Sequence, residues 1–195
     1  MVEPGNRQRN RPPNPLVREL SVKAFIRKTN RLNSIDYLGQ KWCFITMCCD
    51  QRKPLFLADD SARWVSGMLE AESIIHRFLV DAYCVMPDHL HFLAAGTNQN
   101  CNLLAFAKSF KQKTAYQYQQ RYGDRLWQKN FYDHVLRAND TSGDVAAYIW
   151  KYPVRRGLCT NFEEYPFSGS FTRTWIRSVE AGAWTPPWKQ SKMPP

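Results

Sequence analysis

The sequence predicts an α+β fold, a single antiparallel sheet with helices packed on it. Two observations carry this. Short runs dense in β-branched and aromatic residues alternate with longer stretches whose apolar residues recur every three or four positions. Their order along the chain is strand, helix, strand, strand, helix, strand, helix. The length of 195 residues suits one domain with tails and leaves little room for two. A hydrophobic content of 44%, with seven Trp, nine Tyr and eleven Phe, is enough to bury a core despite 23% charged residues.

The first strand is KWCFITMCC, Lys41 to Cys49. Asp59 and Asp60 can cap a helix in which Trp64, Met68, Ile75 and Phe78 or Leu79 recur at helical spacing, with Glu70 and Glu72 on the outer side, running to about Arg77. FLVDAYCVM (Phe78 to Met86) and HLHFLAA (His89 to Ala95) read as strands joined by the turn Pro87 and Asp88, hence a hairpin. A second helix fits Asn102 to Gln120, with Leu103, Ala107, Phe110 and Thr114 on one stripe and Lys108, Lys111 and Lys113 off it; Gly123 ends it. NFYDHVLR (Asn130 to Arg137) is the next strand. Thr141 or Ser142 then caps a helix through Val145, Tyr148 and Ile149 that stops before Pro153. This order is the ferredoxin-like split βαβ plan, followed by a C-terminal tyrosine-bearing helix. Beyond Gly157 no clear period is left.

Three regions follow. Residues 1–35 read as a basic, partly flexible arm rich in Arg, Asn and Pro; residues 36–172 as the folded domain; residues 173–195 as an extension disordered at its end. No apolar run approaches the roughly 20 residues of a bilayer span, and the opening MVEPGNRQRNRPPNP lacks the apolar middle of a signal peptide. A cytoplasmic protein with no membrane partner is expected. The six cysteines form no C-x-x-C pair and read as reduced and mostly buried. With 27 Lys and Arg against 17 Asp and Glu, the net charge of +10 favours a polyanionic partner, nucleic acid ahead of an anionic membrane surface.

His89 and His91 lie two apart in a strand, so both imidazoles emerge on one face with Leu90 on the other. Two neutral imidazoles can grip a divalent ion, which then needs a third ligand and open positions to act as a Lewis acid. An isolated H-x-H pair also occurs by coincidence or for structure. Tyr148 reads as an amphipathic core residue whose hydroxyl finds a partner. Tyr152, four residues on, shares its face. Lys151, Arg155 and Arg156, at the end of that helix and beyond, suit the helix dipole and equally suit a phosphate. His134 reads as a structural hydrogen-bonding residue and His76 as a capping or surface residue.

MPDHLHFL, followed after a basic helix by LWQKNFYDHVLR, YIWKYPVRRGL and EYPFSGS, resembles the REP-associated tyrosine transposases and the wider single-tyrosine insertion-sequence transposases of the histidine-hydrophobe-histidine endonuclease superfamily. RLNSIDYLGQKWCFITMCCDQRKPLF is similar to that family's opening, so the resemblance runs from about Arg31 to Ser170. It implies a divalent ion, Mg²⁺ or Mn²⁺, on His89 and His91, and Tyr148 as the nucleophile that forms a 5′-phosphotyrosine link with single-stranded DNA beside a hairpin. On that reading Lys108, Lys111, Lys151, Arg155 and Arg156 contact DNA, and Trp127, Phe131 and Tyr132 are either stacking surfaces or core. The tyrosine helix serves its own or a partner's histidines, so monomer and homodimer both stay open.

One position departs from the family pattern. Where Asn or Gln is expected four residues after the nucleophile, as a metal ligand, this chain has Tyr152, and a phenol is a poor ligand for a hard ion such as Mg²⁺. Asp88 and Asp133 are the candidate substitutes. Two further readings follow: a catalytically silent hairpin or single-strand binder, and a replication-initiator or relaxase-like nickase. The absence of a G-x-x-x-x-G-K-[ST] loop argues against a composite initiator.

Overall fold

The computed structural model describes residues 37–172; the predicted basic arm (1–35) and the extension (173–195) lie outside the described residues. β1 (Trp42–Cys48) leads into α1 (Asp59–His76), then the hairpin of β2 (Phe78–Met86) and β3 (His89–Gly96). α2 (Leu103–Tyr122), β4 (Tyr132–Val135), α3 (Ser142–Trp150), the single turn α4 (Tyr152–Arg155) and β5 (Ser168–Gly169) complete the chain. The sheet order is β4, β1, β3, β2, β5, and every neighbouring pair is antiparallel. The first four strands and first two helices reproduce the split βαβ plan: β1 and β2 run parallel with β3 inserted between them. β5 was not foreshadowed, because two residues held by pairing with Tyr83 and Cys84 carry no period to read.

Both faces of the sheet are covered, which is why β2 and β3 read as nearly continuous apolar runs rather than as alternations. Ile45, Leu90 and Phe92 point to one face and share a core with Val65 and Leu69 of α1 and with Phe106 and Phe110 of α2. Phe44, Cys84 and Leu93 point to the other and pack against Val145, Ile149 and Trp150 of α3. Each such side chain removed from water contributes about 1.5–3 kcal/mol. β3 is buried along its whole length, so its two histidines sit inside this second core. At its end a methyl on Gly96 would collide with the Gly39 carbonyl and the Cys101 side chain, which explains a glycine there.

The predicted α2 stripe is the buried one, and Asn102 caps the helix by accepting from the Ala105 N–H. α1 differs from its expectation. Its N-cap is Ala58, with Asp59 and Asp60 inside the first turn, where their charge suits the helix dipole. Ile75, expected on the core stripe, is 62% exposed, whereas Glu72, expected outside, is 2% exposed. Glu72 lies inward because α2 supplies partners: Lys113 Nζ and Ser109 Oγ donate to its carboxylate at 2.5 and 2.6 Å. Among the described residues no helix is long and apolar enough to cross a membrane.

Candidate active site

The β2–β3 turn places the histidines. His89 stands opposite Cys48 and Met86, and His91 opposite Thr46 and Cys84, on the α3 side of the sheet; Leu90 points the other way. Both imidazoles are buried, and their Nε2 atoms face each other at 3.0 Å. The far ring nitrogens are held from outside. His89 Nδ1 meets Asp88 Oδ1 at 2.5 Å, and His91 Nδ1 meets Thr46 Oγ1 at 2.8 Å. An ionised carboxylate only accepts, so His89 Nδ1–H donates to Asp88, and in that tautomer the ring's lone pair lies on Nε2. The His89 hydrogen bond, reinforced by Arg52, holds the Asp88 carboxyl below its ordinary range despite partial burial.

The pair fits a divalent ion as far as two ligands go. Two nitrogens about 2.1 Å from one ion and at right angles around it stand about 3.0 Å apart, the separation observed here. Asp88 and Thr46 sit where outer partners orient metal-binding imidazoles. Among the described residues no group of three His, Cys, Asp or Glu side chains converges on one point.

Tyr148 and Tyr152 approach from α3 and α4. Thr141 caps α3 by accepting from the Asp144 N–H, and the chain breaks at Lys151 before α4, whose first turn holds Pro153. The two tyrosines therefore lie on successive helical segments, with ring centroids 5.9 Å apart. Tyr148 is 7% exposed and edge-on to Phe44 at 6.1 Å; Phe44 in turn stacks on His91 at 5.4 Å. Burial pushes the Tyr148 phenol up to about 12, and the Arg155 guanidinium works against that shift. Arg155 lies 4.1 Å from the Tyr148 ring centroid and donates to the Tyr148 carbonyl. Tyr152 stands at the histidines themselves, edge-on to His91 at 4.5 Å and to His89 at 5.4 Å.

The structure thus brings His89, His91, Tyr148, Tyr152 and Arg155 into one cluster, with Lys151 and Arg156 beside it on the turns flanking α4. Lys108 and Lys111 lie on α2, across the sheet. Lys111 Nζ donates to the carbonyls of Gln128 and Lys129, so it anchors the loop before β4. Of the substitute ligands, Asp88 holds the outer nitrogen of His89. Asp133, opposite Ile45, points to the face covered by α1 and α2, away from the histidines, and accepts from Tyr37 Oη at 2.5 Å. His134 pairs with Asp140 at 3.1 Å and His76 with Glu72 at 3.6 Å. Trp127 is core, its indole donating to Thr114 Oγ1 at 2.8 Å, while Phe131 and Tyr132 are partly buried. Sequence reasoning missed Thr46 and the contact of Arg155 with Tyr148. The first follows from strand register, the second from the turn at Lys151, and neither leaves a local motif.

Residues 41–152 match the family model described as Transposase IS200 like. A Haemophilus influenzae protein that carries the name REP-associated tyrosine transposase is 29% identical over 103 residues, 47% of this chain and 58% of its own length. The chain thus spans little more than half of that relative. An uncharacterized protein of the same organism is 23% identical over 159 residues, 66% of this chain and 88% of its own. Among solved structures, a REP-associated tyrosine transposase bound to a REP hairpin superposes with a TM-score of 0.56 at 20% identity, over 67% of this chain and 76% of its own, a likeness of fold.

Proposed function

The chain belongs to the IS200-like transposase family, and from that premise we propose that it is a metal-dependent, single-stranded DNA endonuclease and strand transferase acting through a 5′-phosphotyrosine on Tyr148. The observation that carries the reading is the convergence of the two imidazole Nε2 atoms at 3.0 Å beneath the tyrosine-bearing segments. His89 and His91 hold the divalent ion, Mg²⁺ or Mn²⁺. When bound, the ion polarises the scissile phosphate and stabilises the departing 3′ oxygen.

This chain's residues supply the rest. Tyr148 Oη attacks phosphorus, the bond from phosphorus to the 3′ oxygen breaks, and the phenolic proton ends on that oxygen. Arg155, beside the ring, favours the phenolate against the cost of burial. Lys151 and Arg156 are placed to bind phosphates on the α4 side, while Lys108 serves DNA that passes to the α2 side. Because the link conserves the phosphodiester, a second 3′ hydroxyl can reverse the step and join strands without ATP. The substrate is single-stranded DNA beside a hairpin; the solved REP transposase of similar fold is bound to a REP hairpin.

A second reading, a binder that does not cut, is favoured by one observation: a phenol ring stands against the histidines where the family has a carboxamide. A denaturing gel separates the two. A labelled hairpin oligonucleotide with randomised single-stranded flanks, incubated with Mn²⁺, is expected to yield a protein-linked band that EDTA abolishes. Retarded mobility on a native gel with no covalent band in either Mn²⁺ or Mg²⁺ supports the silent binder and contradicts cleavage.

A further inference from the structure

Tyr152 is more than a missing ligand. Its ring lies edge-on to both histidines, at 4.5 and 5.4 Å, and it is more exposed than Tyr148. The two tyrosine rings are neighbours at 5.9 Å, and one guanidinium serves both, with Arg155 Cζ 4.1 Å from the Tyr148 centroid and 5.2 Å from that of Tyr152. Two phenols, one cation and one imidazole pair thus share a single cluster within one chain. We propose that Tyr152 is a second nucleophile at this site, so that one chain carries two DNA 5′ ends at once. The inference rests on the strand-cleavage reading above.

The chemistry balances without an additional reactant. In each step a tyrosine Oη–phosphorus bond forms as the bond from phosphorus to the 3′ oxygen breaks, and the phenolic proton passes to that oxygen. Two steps leave two 5′-phosphotyrosines and two 3′ hydroxyls. Each hydroxyl can then attack the other strand's phosphotyrosine, returning both protons to the phenols and exchanging the strands. Within one chain, a single nucleophile must have its first link resolved before the second strand is cut, whereas two let both ends wait in one cluster.

The test measures the mass of the full-length polypeptide after incubation with Mn²⁺ and hairpin oligonucleotides carrying randomised flanks, in the parent, Tyr148→Phe, Tyr152→Phe and the double variant. The linked peptide is then mapped after digestion. The parent is expected to show species carrying one and two DNA fragments. Each single variant is expected to carry one fragment only, on the tyrosine left to it, and the double variant none. If the parent and Tyr152→Phe form an adduct on Tyr148 while Tyr148→Phe forms none, Tyr152 is not a nucleophile and the cleavage reading stands. If no protein forms an adduct, both readings fall.

Discussion

Thr46 and Asp88 are small residues with a large effect on the histidines they touch. By occupying the two Nδ1 atoms at 2.8 and 2.5 Å they fix the orientation of both rings and direct both Nε2 atoms to one point. Losing such an outer partner typically costs 10- to 100-fold in metal affinity. Asp88→Ala is therefore expected to weaken Mn²⁺ binding by about tenfold or more, read by titration with paramagnetic detection. Tyr152→Asn should act in the opposite direction, because a carboxamide oxygen is a better ligand for a hard ion than a phenol; an affinity gain of about tenfold is expected. An unchanged affinity in that variant means that the side chain at position 152 does not reach the ion.

At the scale of elements, α1 and α2 are joined by a buried carboxylate. Burial alone would raise the Glu72 carboxyl, but hydrogen bonds from Lys113 and Ser109 outweigh it and hold it below its ordinary value. A carboxyl depressed in the folded state stabilises the fold above its unfolded value, near 4.3, and loses that contribution as pH falls through the folded value. Glu72→Gln should thus cost about 2 kcal/mol near neutrality, the scale of hydrogen bonds to a charged group. The gap from the parent should begin to narrow as pH falls below the unfolded value of about 4.3 and close only below the depressed folded one; thermal unfolding at several pH values checks it. Glu72 also shows where pattern reading stops. Apolar spacing placed the α2 stripe correctly, since every residue on it meets the core, yet it cannot show that a glutamate turns inward to meet a lysine 41 positions away. The strands were legible to within a residue or two because β-branched and aromatic runs end at turn residues. β5 was not, because its pairing with β2 is wholly tertiary. The histidine pair was legible as a period of two. The order of motifs led to Tyr148 and Tyr152, but only the fold shows that the second tyrosine stands against the histidine pair.

The whole chain carries a net charge of +10, and among the described residues cations lie on opposite sides of one sheet. Lys151 and Arg156 flank α4 on the histidine side, and Lys108 rides on α2. Affinity for single strands falls with salt in proportion to the phosphates contacted, with a slope of about −0.7 for each. Replacing Lys151 and Arg156 together by Ala should flatten the dependence of log affinity on log salt by about 1.4, measured by fluorescence anisotropy with a hairpin oligonucleotide. An unaltered slope would place the phosphates elsewhere. On the proposed reading the reactivity of the whole depends on the histidine pair, and the double variant His89→Ala/His91→Ala tests it most directly. With Mn²⁺ and a labelled hairpin oligonucleotide, covalent protein–DNA adduct is expected from the parent and none from the double variant, while hairpin affinity stays within about threefold, as expected if phosphate contacts supply most of the binding. Adduct that forms equally well without the two histidines would contradict a strand-cleaving centre built on them.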